Sequence, residues 1–202
     1  MSSNSILFIP GYNMDSNCYL IDDMLVDTGT GLNAENLLSR IESHGVKRED
    51  ISLIVNTHCH FDHIGGNYLF EDADIAVHEI DAMSMRNRDD LGTSMNAFEN
   101  PLNSRVDIDL KDGDTLRGFK VIHTPGHTGG GICLWDGVNL ISGDTVFSHG
   151  GVGRWDIGGN FDDLKNSVYK LTQLDVVNLF PGHGPIVEGN GKEHIKASYS
   201  QF

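Results

Sequence analysis

The chain has little cysteine, little proline, few basic residues and no long hydrophobic run. Its three cysteines, Cys18, Cys59 and Cys133, are too few and too scattered to form a disulfide framework. No stretch approaches the roughly 20 apolar residues that a membrane-spanning helix needs. Residues 1–5 lack the basic start and apolar centre of a secretion signal. These absences argue against a disulfide-rich secreted scaffold and a membrane protein, and we expect a cytoplasmic protein.

Positive charge is scarce: 14 lysines and arginines face 29 aspartates and glutamates, which gives a formal net charge of −15. An acidic surface repels nucleic-acid phosphates and anionic lipids. We therefore expect neither nucleic acid nor a membrane surface as a partner. A small-molecule ligand fits the composition better, and a homodimer stays open.

Prolines number only 5, whereas glycines number 24, and 39% of the 202 residues are hydrophobic. This composition is typical of a folded, loop-rich chain and not of a disordered segment. The length allows one substantial core, and no repeat or linker divides the sequence. We predict one domain that spans residues 1–202.

Short β-like runs and a few helical patterns alternate along the sequence. We predict strands at 6–9, 17–21, 24–27, 51–55, 75–77, 106–110, 115–116, 119–123, 131–135, 138–141 and 176–180. We predict helices at 32–44, 79–85 and 161–171. Residues 87–104 carry no clear period and are expected to form a long loop, either a lid or plain surface. Strand-rich halves with interspersed helices predict an α/β fold whose sheets pack together, with helices outside.

Metal-binding side chains are concentrated directly after the apolar run 51–55. Four of them fall within six residues: His58, His60, Asp62 and His63. Imidazole nitrogens and carboxylate oxygens are ligands that zinc and similar divalent metals prefer. Cys59 lies between two of the histidines, but on an extended loop it would point away from their shared side. This segment predicts a metal site, with Cys59 as a buried neighbour.

Three later residues occupy similar positions at strand ends. Each follows a predicted strand and comes directly after a glycine, and together they are His127, Asp144 and His183. A preceding glycine permits a tight turn and close approach of the backbone. Because strand ends give rigid positions and loops give access, these side chains are candidates to complete the site.

The His-X-His-X-Asp-His segment, with the three glycine-preceded residues in this order, resembles the metallo-β-lactamase superfamily. The resemblance implies an αββα sandwich of two mixed sheets covered by helices. It also implies two divalent metal ions, with zinc expected and iron or manganese as alternatives. One ion would be held by His58, His60 and His127, the other by Asp62, His63 and His183. Asp144 would bridge both.

Two ions bridged by a carboxylate would leave room for a bridging hydroxide as nucleophile, with Asp62 accepting its hydrogen bond and Asp144 holding the metals. The segment from Thr145 to Gly159 resembles hydroxyacylglutathione hydrolases (glyoxalase II), in which a basic residue after Gly-X-Gly faces the substrate. The matching residue, Arg154, could bind a substrate carboxylate, or it could be a surface arginine paired with Asp156. We therefore predict hydrolysis of a small anionic acyl thioester or ester.

Other functions remain open on the same residues. The longer glyoxalase II enzymes carry a C-terminal glutathione-binding domain, whereas this chain ends about twenty residues after His183, so we expect a broader thioesterase. Iron-dependent persulfide dioxygenases share the fold and the segment around Arg154, and hold one iron with the counterparts of His58, His127 and Asp144. A lactonase would need nearly the same centre. A metal-binding scaffold without turnover is the non-enzymatic alternative.

Overall fold

The structure is a computed structural model that describes residues 5–88, 93 and 105–202. The described residues form strands β1 to β11, in order Leu7–Ile9, Cys18–Ile21, Met24–Val26, Leu53–Val55, Asp74–His78, Ile108–Leu110, Thr115–Leu116, Phe119–His123, Ile132–Trp135, Asn139–Gly143 and Asn178–Pro181. They also form helices α1 to α5, in order Ala34–Ser43, Phe61–Ile64, Glu79–Asn87, Phe161–Thr172 and Gly191–Tyr199.

The strands form two mixed sheets. The first has the order β1-β2-β3-β4-β5-β6, with antiparallel pairing up to β3 and parallel pairing from β3 to β6. The second has the order β11-β10-β9-β8-β7, in which only β10 and β11 are parallel. Strands β4, β8, β10 and β11 position the candidate site, because the chain segments that follow them meet at one edge of the sandwich.

Alternating side chains build one core between the sheets and another on each outer face, as the period of two along a strand requires. The central core joins side chains of both sheets, among them Tyr19, Val26, Val55, Phe119, Leu134 and Ile141. On the outer face of the first sheet, Leu25 and Ile54 pack against Leu37 and Ile41 of α1. On the outer face of the second, Leu140 and Leu179 pack with side chains of α4 and α5, including Leu164 and Ile195.

The predicted sandwich of two sheets between helices is confirmed, and most predicted elements are present with ends that differ by at most two residues. The inner face of α4 is the predicted one, because Leu164, Val168 and Leu171 are all buried. Helix α5 was not predicted, although its Ile195 is fully buried. The expected loop at 87–104 begins with the last residue of α3, and nearly all of it lies outside the described residues.

The three cysteines all belong to the described part of the chain, where they are buried and not disulfide-bonded. Cys59 packs with Phe61, Ile64 and Val77. None of the helices among the described residues has the length and apolar character needed to cross a bilayer.

Candidate metal centre

The seven candidate residues come together at one edge of the sandwich, between the two sheets. His58, His60, Asp62 and His63 follow β4 of the first sheet and run into the short helix α2. His127, Asp144 and His183 follow β8, β10 and β11 of the second sheet. The site is therefore assembled from both sheets.

Three histidine nitrogens face one another in the first cluster. Nε2 of His58 lies 3.1 Å from Nδ1 of His60 and 3.2 Å from Nε2 of His127. Nδ1 of His60 lies 2.8 Å from Nε2 of His127. The three residues form a group that could hold a metal ion.

A second cluster lies beside the first and contains a carboxylate. Nε2 of His63 lies 3.3 Å from Nε2 of His183. Oδ2 of Asp62 lies 3.1 Å from Nε2 of His183 and 3.8 Å from Nε2 of His63. These three residues form another group that could hold a metal ion.

Asp144 touches both clusters with its carboxylate. Oδ2 lies 3.5 Å from Nε2 of His127 in the first cluster and 3.5 Å from Nε2 of His183 in the second. Oδ1 lies 3.4 Å from Nε2 of His63, and among the described residues it is one of the few buried side-chain atoms that receive no hydrogen bond. Burial alone would raise the pKa of Asp144, but the charge on His63 more than offsets it and holds the pKa below its usual range.

Hydrogen bonds behind the clusters fix which nitrogen of each ring points inward. Nδ1 of His63 donates to Oδ2 of Asp27 at 2.8 Å. Thr57 donates its hydroxyl to the same carboxylate at 2.8 Å, so the hydroxyl oxygen can accept from Nδ1 of His58 at 3.1 Å. Since Nδ1 is engaged in both rings, Nε2 of His58 and His63 faces the cluster, as is usual for metal-binding histidines.

The His127 ring is oriented by a backbone carbonyl. Its Nδ1 lies 2.6 Å from the carbonyl oxygen of Arg154, which can only accept a hydrogen bond, so Nδ1 carries the proton. Nε2 is then the atom that points to the other histidines. Arg154 thus contributes to the centre through its backbone carbonyl.

The glycines before the later residues allow unusually close packing. A Cβ on Gly182 would lie 2.1 Å from Oδ1 of Asp144, so only glycine lets the His183 loop approach this carboxylate. Gly143 has a φ of +47°, in the left-handed region that favours glycine, and a Cβ there would lie 2.7 Å from the Thr57 side chain. The glycine signal in the sequence therefore marks real steric requirements at these two positions.

The arrangement fits a metal ion. In a tetrahedral zinc site with bonds of about 2.0–2.1 Å, neighbouring ligand atoms are about 3.3 Å apart. The contacts within the two clusters, from 2.8 to 3.8 Å, bracket this value. The unprotonated Nε2 atoms of His58 and His127 face each other at 3.2 Å and would repel unless a cation lies between them.

Burial gives the histidines different proton affinities. Burial, reinforced by the neighbouring histidines, lowers the pKa of His58 and brings that of His60 to about 3. Burial also disfavours charge on His63, but the carboxylates of Asp144, Asp27 and Asp62 outweigh it and raise its pKa. At neutral pH the metal-free centre therefore keeps His58 and His60 neutral and His63 protonated.

Metal binding is expected to release a proton from the cluster that contains His63, in addition to any released by water on a bound ion. Below its raised pKa an ion must displace the His63 proton, so affinity at this cluster should increase with pH. His58 and His60 hold no proton to be displaced. Titration calorimetry in two buffers of different ionisation enthalpy counts the released protons, and Asp27→Asn should reduce the number. An unchanged proton count in Asp27→Asn would contradict the assignment of charge to His63.

A cleft of about 400 Å³ opens above the two clusters. Its lining combines the candidate side chains with apolar neighbours: Met14, His60, Asp62, His127, Asp144, Phe147, Gly153, Arg154, Ile157 and His183. The Arg154 side chain is paired with Asp156 through two contacts of 2.8 Å, and both side chains are 61% exposed. Arg154 thus lines the cleft and is also the surface ion-pair partner of Asp156, the pairing that the sequence analysis set against substrate binding.

Sequence reasoning missed two buried carboxylates near the site, Asp27 and Asp81. Asp27 directly follows β3, so the strand-end pattern of the later residues could have identified it. Asp81 lies in the first turn of α3, where an acidic residue is ordinary for a helix start, and no sequence signal distinguishes it.

Known proteins match this chain over most of its length. A model of the metallo-β-lactamase superfamily matches residues 11–183. A protein of Methanocaldococcus jannaschii, named as a probable metallo-hydrolase, is 36% identical over 90% of this chain and 93% of its own length. A human protein named as the acyl-coenzyme A thioesterase MBLAC2 is 31% identical over 80% of this chain and 68% of its own length.

Solved structures share the architecture. The crystal structure of TTHA1623 in a di-iron-bound form superposes with a TM-score of 0.78 at 29% identity, covering 93% of this chain and 96% of that one. The two sheets, the order of the strand-end residues and the family match agree over most of the sequence. This chain belongs to the metallo-β-lactamase superfamily.

Proposed function

We propose that this protein is a hydrolase that uses two divalent metal ions, zinc in the first instance, to cleave small acyl thioesters in the cytoplasm. His58, His60 and His127 would hold one ion, and Asp62, His63 and His183 the other. The observation that carries the proposal is the position of Asp144, whose carboxylate lies within 3.5 Å of histidines from both clusters. A carboxylate placed in this way suits two ions side by side.

The relatives support both parts of the proposal, thioester hydrolysis and the use of two metal ions. The human relative is named as a thioesterase, and its match covers most of this chain. TTHA1623, which shares the fold, was crystallised with two irons. Iron therefore stays an alternative to zinc, because imidazole and carboxylate ligands suit both metals.

Asp62 is the residue best suited to handle the proton of the attacking water. Two ions, when bound, would supply Lewis-acid chemistry by lowering the pKa of water to about 7 and polarising a carbonyl. Asp62 lines the cleft, and its side chain is 28% exposed, so the carboxylate oxygen that does not hold the ion can accept a hydrogen bond from the water and aim it. As the water oxygen bonds to the thioester carbon and the C–S bond breaks, Asp62 can hold the proton until the departing sulfur takes it.

Arg154 is proposed to bind an anionic group of the substrate at the rim of the cleft. Its pairing with Asp156 is a surface contact, which contributes little because water screens it. A substrate carboxylate can therefore compete for the guanidinium, whose planar donors suit two-point binding.

Arg154→Ala is expected to raise KM for anionic thioesters roughly 3- to 10-fold, with a small effect on kcat, because the lost contact is present before and during the reaction. Steady-state kinetics on a matched pair of anionic and neutral thioesters measures the effect. Asp156→Ala is the control: it removes the competing carboxylate and should lower KM for the anionic substrate only. An unchanged KM in Arg154→Ala would remove this side chain from the binding site.

One experiment tests the proposed function directly: elemental analysis of the purified protein beside assays on thioester, lactone and persulfide substrates. Two equivalents of metal with thioester hydrolysis would support the proposal, and lactone hydrolysis alone would redirect it to that class. Bound metal without turnover on any substrate would favour a metal-binding scaffold.

The persulfide dioxygenase alternative rests on the approach of Asp144 to His127, which with His58 would hold a single iron. It leaves the second cluster, with its three ligand atoms, unused. Oxygen uptake with a persulfide substrate and one equivalent of iron would favour this alternative over hydrolysis.

A further inference from the structure

A buried carboxylate outside the two clusters ties together the loops that carry the first one. Asp81 lies in the first turn of α3 and is 1% exposed. Oδ2 accepts a hydrogen bond from the backbone N–H of Cys59 at 2.9 Å and from the hydroxyl of Thr128 at 2.8 Å. Oδ1 accepts one from the backbone N–H of Gly130 at 2.6 Å.

The positions of these donors in the sequence show which loops the Asp81 carboxylate joins. Cys59 lies between His58 and His60 in the chain, and Thr128 directly follows His127. A single side chain from a third element, α3, thus holds both loops that supply the three-histidine cluster. Metal ligands need such support, because a ligand that is free to move binds more weakly.

The loops are shaped to admit this carboxylate. A Cβ on Gly130 would lie 2.5 Å from Oδ1 of Asp81 and 2.6 Å from its backbone nitrogen, so only glycine permits the approach. The Thr128 hydroxyl and the backbone N–H groups of Cys59 and Gly130 are all neutral donors to Asp81. Burial raises the pKa of Asp81 although Thr128, Cys59 and Gly130 all donate hydrogen bonds to its carboxylate.

We propose that Asp81 is a positioning residue for the three-histidine site: it sets the separation of the His58–His60 loop from the His127 loop. It acts on one of the two metal sites, because its donors flank the residues of one cluster. Asp27 contacts His63 of the second cluster directly and reaches His58 of the first only through the Thr57 hydroxyl. The inference rests on the ligand assignment of the proposed function.

Asp81→Asn is the first test. The new amide keeps one acceptor but turns the other oxygen into an NH2 donor, which cannot accept from the Cys59 or Gly130 N–H. We expect the affinity for one of the two ions to fall by about 10- to 100-fold, the usual effect of removing a residue that supports metal ligands, while the other ion binds as before. The full chain, stripped of metal, is titrated with Zn²⁺ against a chromogenic chelator.

Titration with Co²⁺ adds a readout that loss of stability alone would not change. The visible d–d bands of Co²⁺ report its coordination geometry, so the bands of one titration step should change in the variant and those of the other should not. Thr128→Val removes only one hydrogen bond and keeps the side-chain size. It should give a smaller effect of the same kind, and it keeps the test available if Asp81→Asn folds poorly.

Ser167→Ala is the matched control. The Ser167 hydroxyl donates to the carbonyl of Pro125 at 2.7 Å and so holds the same His127 loop without joining it to the Cys59 loop. Its replacement is expected to cost stability, as Asp81→Asn does, but to leave both metal affinities and both Co²⁺ spectra unchanged.

Wild-type affinities in both Asp81→Asn and Thr128→Val would overturn the inference. It would also be overturned if the variants bind both ions equally more weakly, in proportion to their loss of folding stability, and Ser167→Ala shows the same relation between stability and metal affinity. If the wild-type chain binds no Zn²⁺ or Co²⁺, the proposed function fails and this inference fails with it. A wild type with two sites and unaffected variants removes the role of Asp81 alone.

Discussion

Asp144→Asn is expected to reduce bound metal and hydrolysis together, with activity falling at least about 100-fold. Even residues that only support metal ligands cost about 10- to 100-fold in affinity or activity when replaced. Asp144 contacts histidines of both clusters directly, so its replacement should weaken both sites at once. Asparagine keeps the shape but loses the negative charge that balances two cations.

The measurement is metal content after dialysis, taken with kcat/KM on the best thioester. Asp112→Asn is a fitting control, since Asp112 is half-exposed and pairs with Lys170 at the surface. It should change neither quantity. Full metal content and activity in Asp144→Asn would show that this carboxylate does not join the two sites.

Asp27→Ala should lower the free energy of unfolding of the metal-free protein by about 3–5 kcal/mol, the usual result of removing one partner of a buried charge pair. Asp27 is 1% exposed and accepts from Nδ1 of His63 and from both the N–H and the hydroxyl of Thr57. Its removal leaves these buried donors unpaired and a protonated His63 with one carboxylate fewer. Urea unfolding of the chelator-treated protein measures the change.

Asp23→Ala provides the contrast, since the two aspartates flank the same strand, β3. Asp23 pairs with Arg117 at the surface, where both side chains are more than a third exposed, and such pairs contribute about 0–1 kcal/mol.

Asp27 also has a φ of +58°, a conformation that asparagine tolerates better than alanine. Asp27→Asn therefore separates the loss of charge from backbone strain. A loss for Asp27→Ala no larger than for Asp23→Ala would contradict the pairing with His63.

Much of the fold was predictable because hydrophobic periodicity reflects burial. Strands such as β8 and the inner face of α4 are buried in the way that their sequence patterns indicate. Helix α5 was missed because only part of it is apolar, and packing of Ile195 against the second sheet secures it. Predicted and observed strand ends differ where a turn, and not the hydrophobic pattern, determines the last paired residue.

The candidate site was predictable where the chemistry is concentrated in the sequence. A dense histidine motif and glycine-preceded residues after strands marked seven side chains that the fold brings together. Asp81 could not be found in this way, because its role depends on contacts with loops 22 and 47 residues away in the chain. Such contacts exist only in three dimensions. The sequence left the role of the Arg154 side chain open, and in the structure its pairing with Asp156 and its place in the cleft coexist.

The candidate ligand residues come from both sheets, and this has a consequence for the stability of the folded protein. Ions held between strand ends of the two halves would act as cross-links, so neither half could separate without releasing them. Because only the folded chain offers this cage, bound metal would add to stability, by about 4 kcal/mol at a free concentration 1,000 times Kd. The metal ions of such an enzyme would then also stabilise its fold, so loss of metal would leave the polypeptide inactive and more open to degradation.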